Sequence, residues 1–99
     1  MACDDNQGNI LLQACNSCGL KIPFDVAIIG VDNDEILCNM SNPSMSTINV
    51  DIERGGADAA AMAERMVNDP TYMGEDIILH PLTVVERISS SLFATNDKE

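Results

Sequence analysis

Six consecutive residues, Val26-Ala27-Ile28-Ile29-Gly30-Val31, carry no polar side chain. Alternation would mark a strand with one wet face. Its absence, together with the β-branched Val26, Ile28, Ile29 and Val31, predicts a strand covered on both faces. Two-sided cover calls for a layered fold, and helices are its usual source. The run stops at Asp32-Asn33-Asp34-Glu35, so the strand's carboxyl end opens onto an acidic turn.

The flanking pattern supplies the helices. From Asn6 to Cys18 the apolar positions Ile10, Leu11, Ala14, Cys15 and Cys18 recur at helical spacing, with Asp5 or Asn6 as the expected cap and Gly19 as the stop. A short helix is predicted over 35–40, a turn at Ser41-Asn42-Pro43-Ser44, and a strand from Ser46 to Val50. A second long helix is predicted over 52–68. Its small residues Ala57, Ala60 and Ala61 suit close packing on a sheet, and Asn68-Asp69-Pro70 ends it. Residues 77–79 and 82–87 read as strands broken at Pro81, and a polar tail runs from Ser89. The expected class is α/β, a mostly parallel sheet flanked by helices. Met1-Ala2-Cys3 reads as the end of a strand whose start is missing, and the tail leads to no terminal element. The chain is therefore expected to be a piece of a longer protein.

Composition narrows function. With 99 residues there is room for one small domain. Sixteen acidic against five basic side chains give a net charge of −11, which repels phosphate backbones and anionic membranes. Aromatics are only 3%, too few for a base-stacking surface. No signal peptide and no membrane-length apolar run is visible, so a cytoplasmic setting with reduced cysteines is expected.

Three constellations invite a chemical reading. Asp4-Asp5 and Asp32-Asn33-Asp34 each follow an apolar strand. In a parallel sheet both lie at the carboxyl edge, where open α/β sheets bind ligands. Ionised carboxylates accept strong hydrogen bonds from sugar hydroxyls, although capping and turn formation explain the same residues. Cys15-Asn16-Ser17-Cys18 is half of a zinc site or a thiol pair. It lacks a second close pair and sits at a helix end, so buried structural cysteines are the simpler reading. His80 is the only histidine and has no nucleophile in a triad-like setting. Met40, Met45, Met62, Met66 and Met73 read as core filler, and Asp58 and Glu64 as a solvated helix face. No motif supplies both halves of an acid–base site, so an enzyme is not expected, and neither is a cofactor or metal.

The segments Ala2-Cys3-Asp4-Asp5, Gly19-Leu20-Lys21-Ile22-Pro23, Asp25-Val26-Ala27-Ile28-Ile29-Gly30-Val31-Asp32-Asn33-Asp34-Glu35, Leu37-Cys38, Ser46-Thr47-Ile48 and Val84-Val85-Glu86-Arg87 occur in an order that resembles the effector-binding domain of xylose-operon regulators. In that family a LacI-like, periplasmic-binding-protein-like sugar domain is fused to an AraC-type DNA-binding domain. The resemblance implies a partial lobe of a type I periplasmic-binding-protein-like fold. Residues 1–91 would be the C-terminal portion of the sugar domain, and 92–99 a linker towards a missing DNA-binding domain. It implies that Asp5 and Asp32 hold sugar hydroxyls, with Asp4 and Asn33 beside them. Where LacI-like proteins often carry a Gln in the cleft, this chain has Val50, and Asn49 or Asp51 is the substitute available. The implied function is sensing of a pentose, D-xylose first, by a homodimeric transcription regulator that meets DNA only through other domains. The rival readings are a periplasmic sugar-transport protein of the same fold and a small thiol or metal protein built on Cys15 and Cys18.

Overall fold

The computed structural model describes residues 1–91. Helix α1 spans Asp5–Ser17, strand β1 Ile29–Val31, helix α2 Glu35–Met40, strand β2 Ser46–Asn49, helix α3 Ile52–Asn68 and strand β3 Thr83–Val85, and a 3₁₀ turn follows over Ile88–Ser90. Each α-helix starts on an aspartate. Asp4, Asp34 and Asp51 accept from the backbone N–H groups of Gln7, Leu37 and Arg54, three residues on, satisfying donors that the first turn leaves free. The cap of α1 is thus Asp4, not Asp5 or Asn6. Asp4 holds the extended backbone that a cap needs (φ −152°), and Asp5 already lies inside the helix. Gly19 closes the other end at φ 76°, a left-handed conformation open to glycine, while Leu20 N–H reaches back to the Cys15 carbonyl at 3.0 Å.

The sheet order is β1-β2-β3. β1 and β2 pair in parallel, with Gly30 opposite Thr47, and β2 and β3 pair antiparallel, with Ile48 opposite Val84. The sheet is therefore mixed rather than mostly parallel. The cause lies in α3, which carries the chain away from the sheet instead of back across it. The chain returns to the edge it left, where Leu82 N–H donates to the Asn49 carbonyl at 2.8 Å, so β3 must run the opposite way. Ala2 N–H donates to the Ile29 carbonyl at 2.9 Å and lines the N-terminal residues along the other side of β1.

Leu12 and Cys15 of α1, Ile28 before β1, Cys38 of α2 and Met45 form the buried core, with Ile22 and Val26 packed against it. Helix α3 buries nothing, contrary to its expected seat on the sheet. Its companion, segment 69–82, contains no strand, so the expected strand over 77–79 is absent. Ile77 and Leu79 instead line a cavity of about 210 Å³ with Gly55, Ala59 and Met62 of α3. Only Met45 among the named methionines is buried, and Met73 is 85% exposed. The described residues extend over 60 × 27 × 19 Å, with a radius of gyration of 18.1 Å. A compact domain of this length would have about 13 Å.

The polar tail expected from Ser89 is partly interior. Ser89 is fully buried: its hydroxyl donates to the Ile28 carbonyl at 2.6 Å and accepts from Ser46 N–H at 2.8 Å, and its carbonyl accepts from Ile28 N–H at 2.9 Å. Two bonds thus join Ser89 to Ile28, just before β1, and a third joins it to the start of β2. The expected linker 92–99 lies outside the described residues.

Candidate functional site

Because β1 and β2 are parallel, Asp32-Asn33-Asp34 and Asn49-Val50-Asp51 leave the sheet at the same edge. Asp5 joins them there, its Oδ2 accepting from Asp34 N–H at 2.7 Å. The two acidic clusters of the sequence thus converge on the carboxyl edge of the parallel pair.

They do not play equivalent parts. Asp5 is 2% exposed. Its Oδ1 accepts from the Thr47 hydroxyl at 2.6 Å, and the Cys38 thiol also hydrogen-bonds the carboxylate. Burial comes first, then that hydrogen bond and the charge of Asp5, in pushing the Cys38 thiol up from 9.0 to about 12. Cys38 is therefore a neutral donor near pH 7. A Cβ on Gly30 would run into the Asp5 carboxylate, so glycine at the centre of β1 is what lets α1 come this close. Asp4 is partly exposed, and its Oδ1 is engaged by Gln7 N–H at 2.7 Å.

Asp32 is exposed and Asn33 partly so. Both take positive φ, 111° and 60°, which side chains other than glycine rarely adopt. Bonds across the edge hold the turn: Asp32 N–H to the Ile48 carbonyl at 3.0 Å, and Asn33 N–H to the Thr47 hydroxyl at 3.2 Å. Asp32 then lines a cavity of about 320 Å³ with Asn49, Val50, Asp51, Ile52, Glu53 and Leu82. Three carboxylates beside Asn49 give it a strongly accepting wall, and Val50, Ile52 and Leu82 give an apolar one. That mixture suits a small polyhydroxylated molecule, with hydroxyls on one side and C–H faces on the other. Asp51 also caps α3 through Arg54 N–H at 3.4 Å.

Sequence reasoning missed Thr47, Cys38 and Arg87 as parts of this edge. Thr47 alone left a trace: it falls in the short strand read over Ser46 to Val50, and a hydroxyl that such a strand buries needs a partner. Away from the edge, Cys15 is buried and Cys18 exposed, and His80 is exposed. Among the described residues no group of three or more His, Cys, Asp or Glu is arranged to hold a metal, and no helix is long and apolar enough to cross a membrane.

Residues 1–90 match the periplasmic binding protein-like domain family. The xylose operon regulatory protein of Haemophilus influenzae is 27% identical over 98% of this chain and 25% of its own length, and that of Escherichia coli is 25% identical over the same shares. The HTH-type transcriptional regulator DegA of Bacillus subtilis is 35% identical over 82% of this chain and 24% of its own. The chain thus spans about a quarter of the length of the curated relatives it matches. Among solved structures, the CelR–cellobiose complex superposes with a TM-score of 0.78 at 24% identity, over 90% of this chain and 28% of that one. A LacI family regulator from Arthrobacter in complex with lactose gives 0.68 at 21% identity, over 90% and 34%. The AraC-type attachment expected from the sequence draws no support from these matches, which show the periplasmic binding protein-like domain alone. With all but the last residue of the described region matched, the chain belongs to the periplasmic binding protein-like domain family.

Proposed function

We propose that this chain is the ligand-binding portion of a sugar-responsive transcription regulator of LacI type, and that its sugar is a pentose, D-xylose first. The observation that carries the proposal is the shared cavity of Asp32 and Asp51 at the carboxyl edge of the parallel strands. Its support is that relatives matching 98% of the chain are named for the xylose operon. In this reading Asp32, Asn33 and Asp51 meet sugar hydroxyls, with Asp4 at the margin. Asp5, expected to hold hydroxyls itself, serves from beneath: its carboxylate is buried and its oxygens are already taken up by Thr47 and Asp34.

The sugar acts by population shift. Bound between this edge and a second lobe, it favours one lobe arrangement, and DNA is met through other domains. Contact with DNA through this segment itself is opposed by its charge of −11. No chemistry on the sugar is involved. Two copies are proposed to pair through exposed Ile36 and Met40 of α2 beside the uncharged Asn6, Asn9 and Gln13 of α1. Asp34 is the one charged residue lining this groove, so repulsion between the two acidic copies is smaller here than on the carboxylate-lined cavity of Asp32 and Asp51. Sedimentation of the protein reads the pairing.

The test is calorimetric titration of the full-length protein with D-xylose, cellobiose and lactose in parallel. D-xylose binding that Asp32→Ala abolishes supports the reading. Binding of a disaccharide alone keeps the sugar-sensing class and removes the pentose. Binding that survives Asp32→Ala and Asp51→Ala together overturns the site.

A further inference from the structure

Arg87 is partly buried and, among the described residues, forms no ion pair. Its guanidinium donates instead to three neutral acceptors from three segments. Nε reaches Asn39 Oδ1 at 3.2 Å, Nη1 the Met45 carbonyl at 3.0 Å and Nη2 Asn33 Oδ1 at 3.3 Å. Its backbone is tied as well: Arg87 N–H donates to the Ser46 hydroxyl at 2.8 Å, which donates to the Arg87 carbonyl at 3.1 Å. The root of the side chain is thus fixed at the start of β2, and its planar fork reaches the turn after β1.

That turn needs support. Asp32 and Asn33 both take positive φ, a conformation that persists only where surrounding contacts impose it. Thr47 and Asp5 hold the backbone of 33 and 34, and Arg87 is what holds the Asn33 side chain.

We propose that Arg87 is a positioning residue for the ligand edge, fixing Asn33 and, through it, the turn that sends Asp32 into the cavity. The proposal rests on the reading of Asp32 and Asn33 as ligand groups. It also settles which end of the Asn33 amide a ligand meets. With Oδ1 taken by Arg87, Nδ2 is the end of the amide left to donate, and the preceding residue, Asp32, supplies an acceptor on the cavity wall. A hydroxyl that both donates and accepts fits that pair, and an aldonate or other carboxylate does not.

Two measurements on Arg87→Met and Arg87→Lys test this. The first is backbone ¹⁵N relaxation without ligand. Order is expected to fall at residues 32–34 in Arg87→Met while β1 and β2 stay unchanged. Unchanged order at 32–34 in both variants overturns the proposal. The second is a double-mutant cycle with Asn33→Ala, read as D-xylose affinity. Each single change is expected to weaken binding about tenfold, the scale of one well-placed hydrogen bond, with no further loss in the double variant. Additive losses mean Arg87 does not act through Asn33 and overturn the proposal. Arg87→Lys keeps the charge without the fork and is expected to lie close to Arg87→Met. Full recovery by Lys would show that charge alone matters, and would equally overturn it. If the unaltered protein fails to bind D-xylose, or Asp32→Ala binds it normally, the functional reading falls while the relaxation measurement still decides the role of Arg87.

Discussion

Helices α1 and α3 are both capped by aspartate, yet they fare very differently. The shorter one buries Asp5, Gly8, Leu12 and Cys15, whereas the longer one buries no residue along 17 positions. Val67 of α3 is 81% exposed although it is as apolar as anything in the core. Amphipathic spacing only offers a face, and burial needs a second surface at the right place. For α1 that surface is β1, brought within reach by Gly30. For α3 it is the irregular segment 69–82, which gives cover of the Gly55–Leu79 kind and little more. The candidate cavity lies where the two meet: Asp32 and Asn49 come from the half with a core, and Ile52, Glu53 and Leu82 from the half without one.

The contrast is broken most directly at Asp5. Asp5→Ala strips partners from Thr47, Asp34 and Cys38 at once and is expected to cost about 3 kcal/mol or more, read as the urea midpoint. A loss below about 1 kcal/mol would mean that the edge is not organised around this carboxylate. Gly30→Ala comes next, at about 2 kcal/mol, because the new methyl meets that carboxylate. Ser89→Ala removes a buried hydroxyl with a donor and an acceptor role, for about 1–2 kcal/mol.

The cysteines sharpen the same division without mutation. Exposed Cys3 and Cys18 are expected to react quickly with a disulfide reagent at neutral pH, and buried Cys15 and Cys38 only as the protein opens. The raised Cys38 pKa has a definite sign. The folded state favours the neutral thiol, so its stabilisation is fully present below pH 9 and is lost as pH climbs towards about 12. Denaturation followed across that window should show stability falling, and Cys38→Ser should flatten the fall. Smallest of all, Val67→Ser in α3 should change stability by less than about 0.5 kcal/mol. A larger loss would reveal packing on α3.

The two helices 35–40 and 52–68 are legible to the residue, because Asp34 and Asp51 cap them and Asn68-Asp69-Pro70 ends the second. The edge that gathers the acidic clusters follows from two apolar runs each ending in acid. What could not be read locally was decided at a distance. Nothing in Asp4-Asp5 says which carboxylate turns inward; the partners that decide it, Asp34 and Thr47, lie 29 and 42 residues further on. Residues 77–79 have a strand's composition, but a strand also needs an open edge to pair with. The methionines at 40 and 73 have a core residue's chemistry and no core beside them.

The Ser89–Ile28 clasp joins positions 61 apart in the chain. A growing polypeptide therefore carries the start of β1 unclasped through the synthesis of both later helices and all of segment 69–82. Local helices can form early, but the strand that carries Asp32 is sealed only when nearly the whole described chain is available. A ribosome paused anywhere before Ser89 would hold a nascent chain whose candidate ligand edge is already written but not yet fastened.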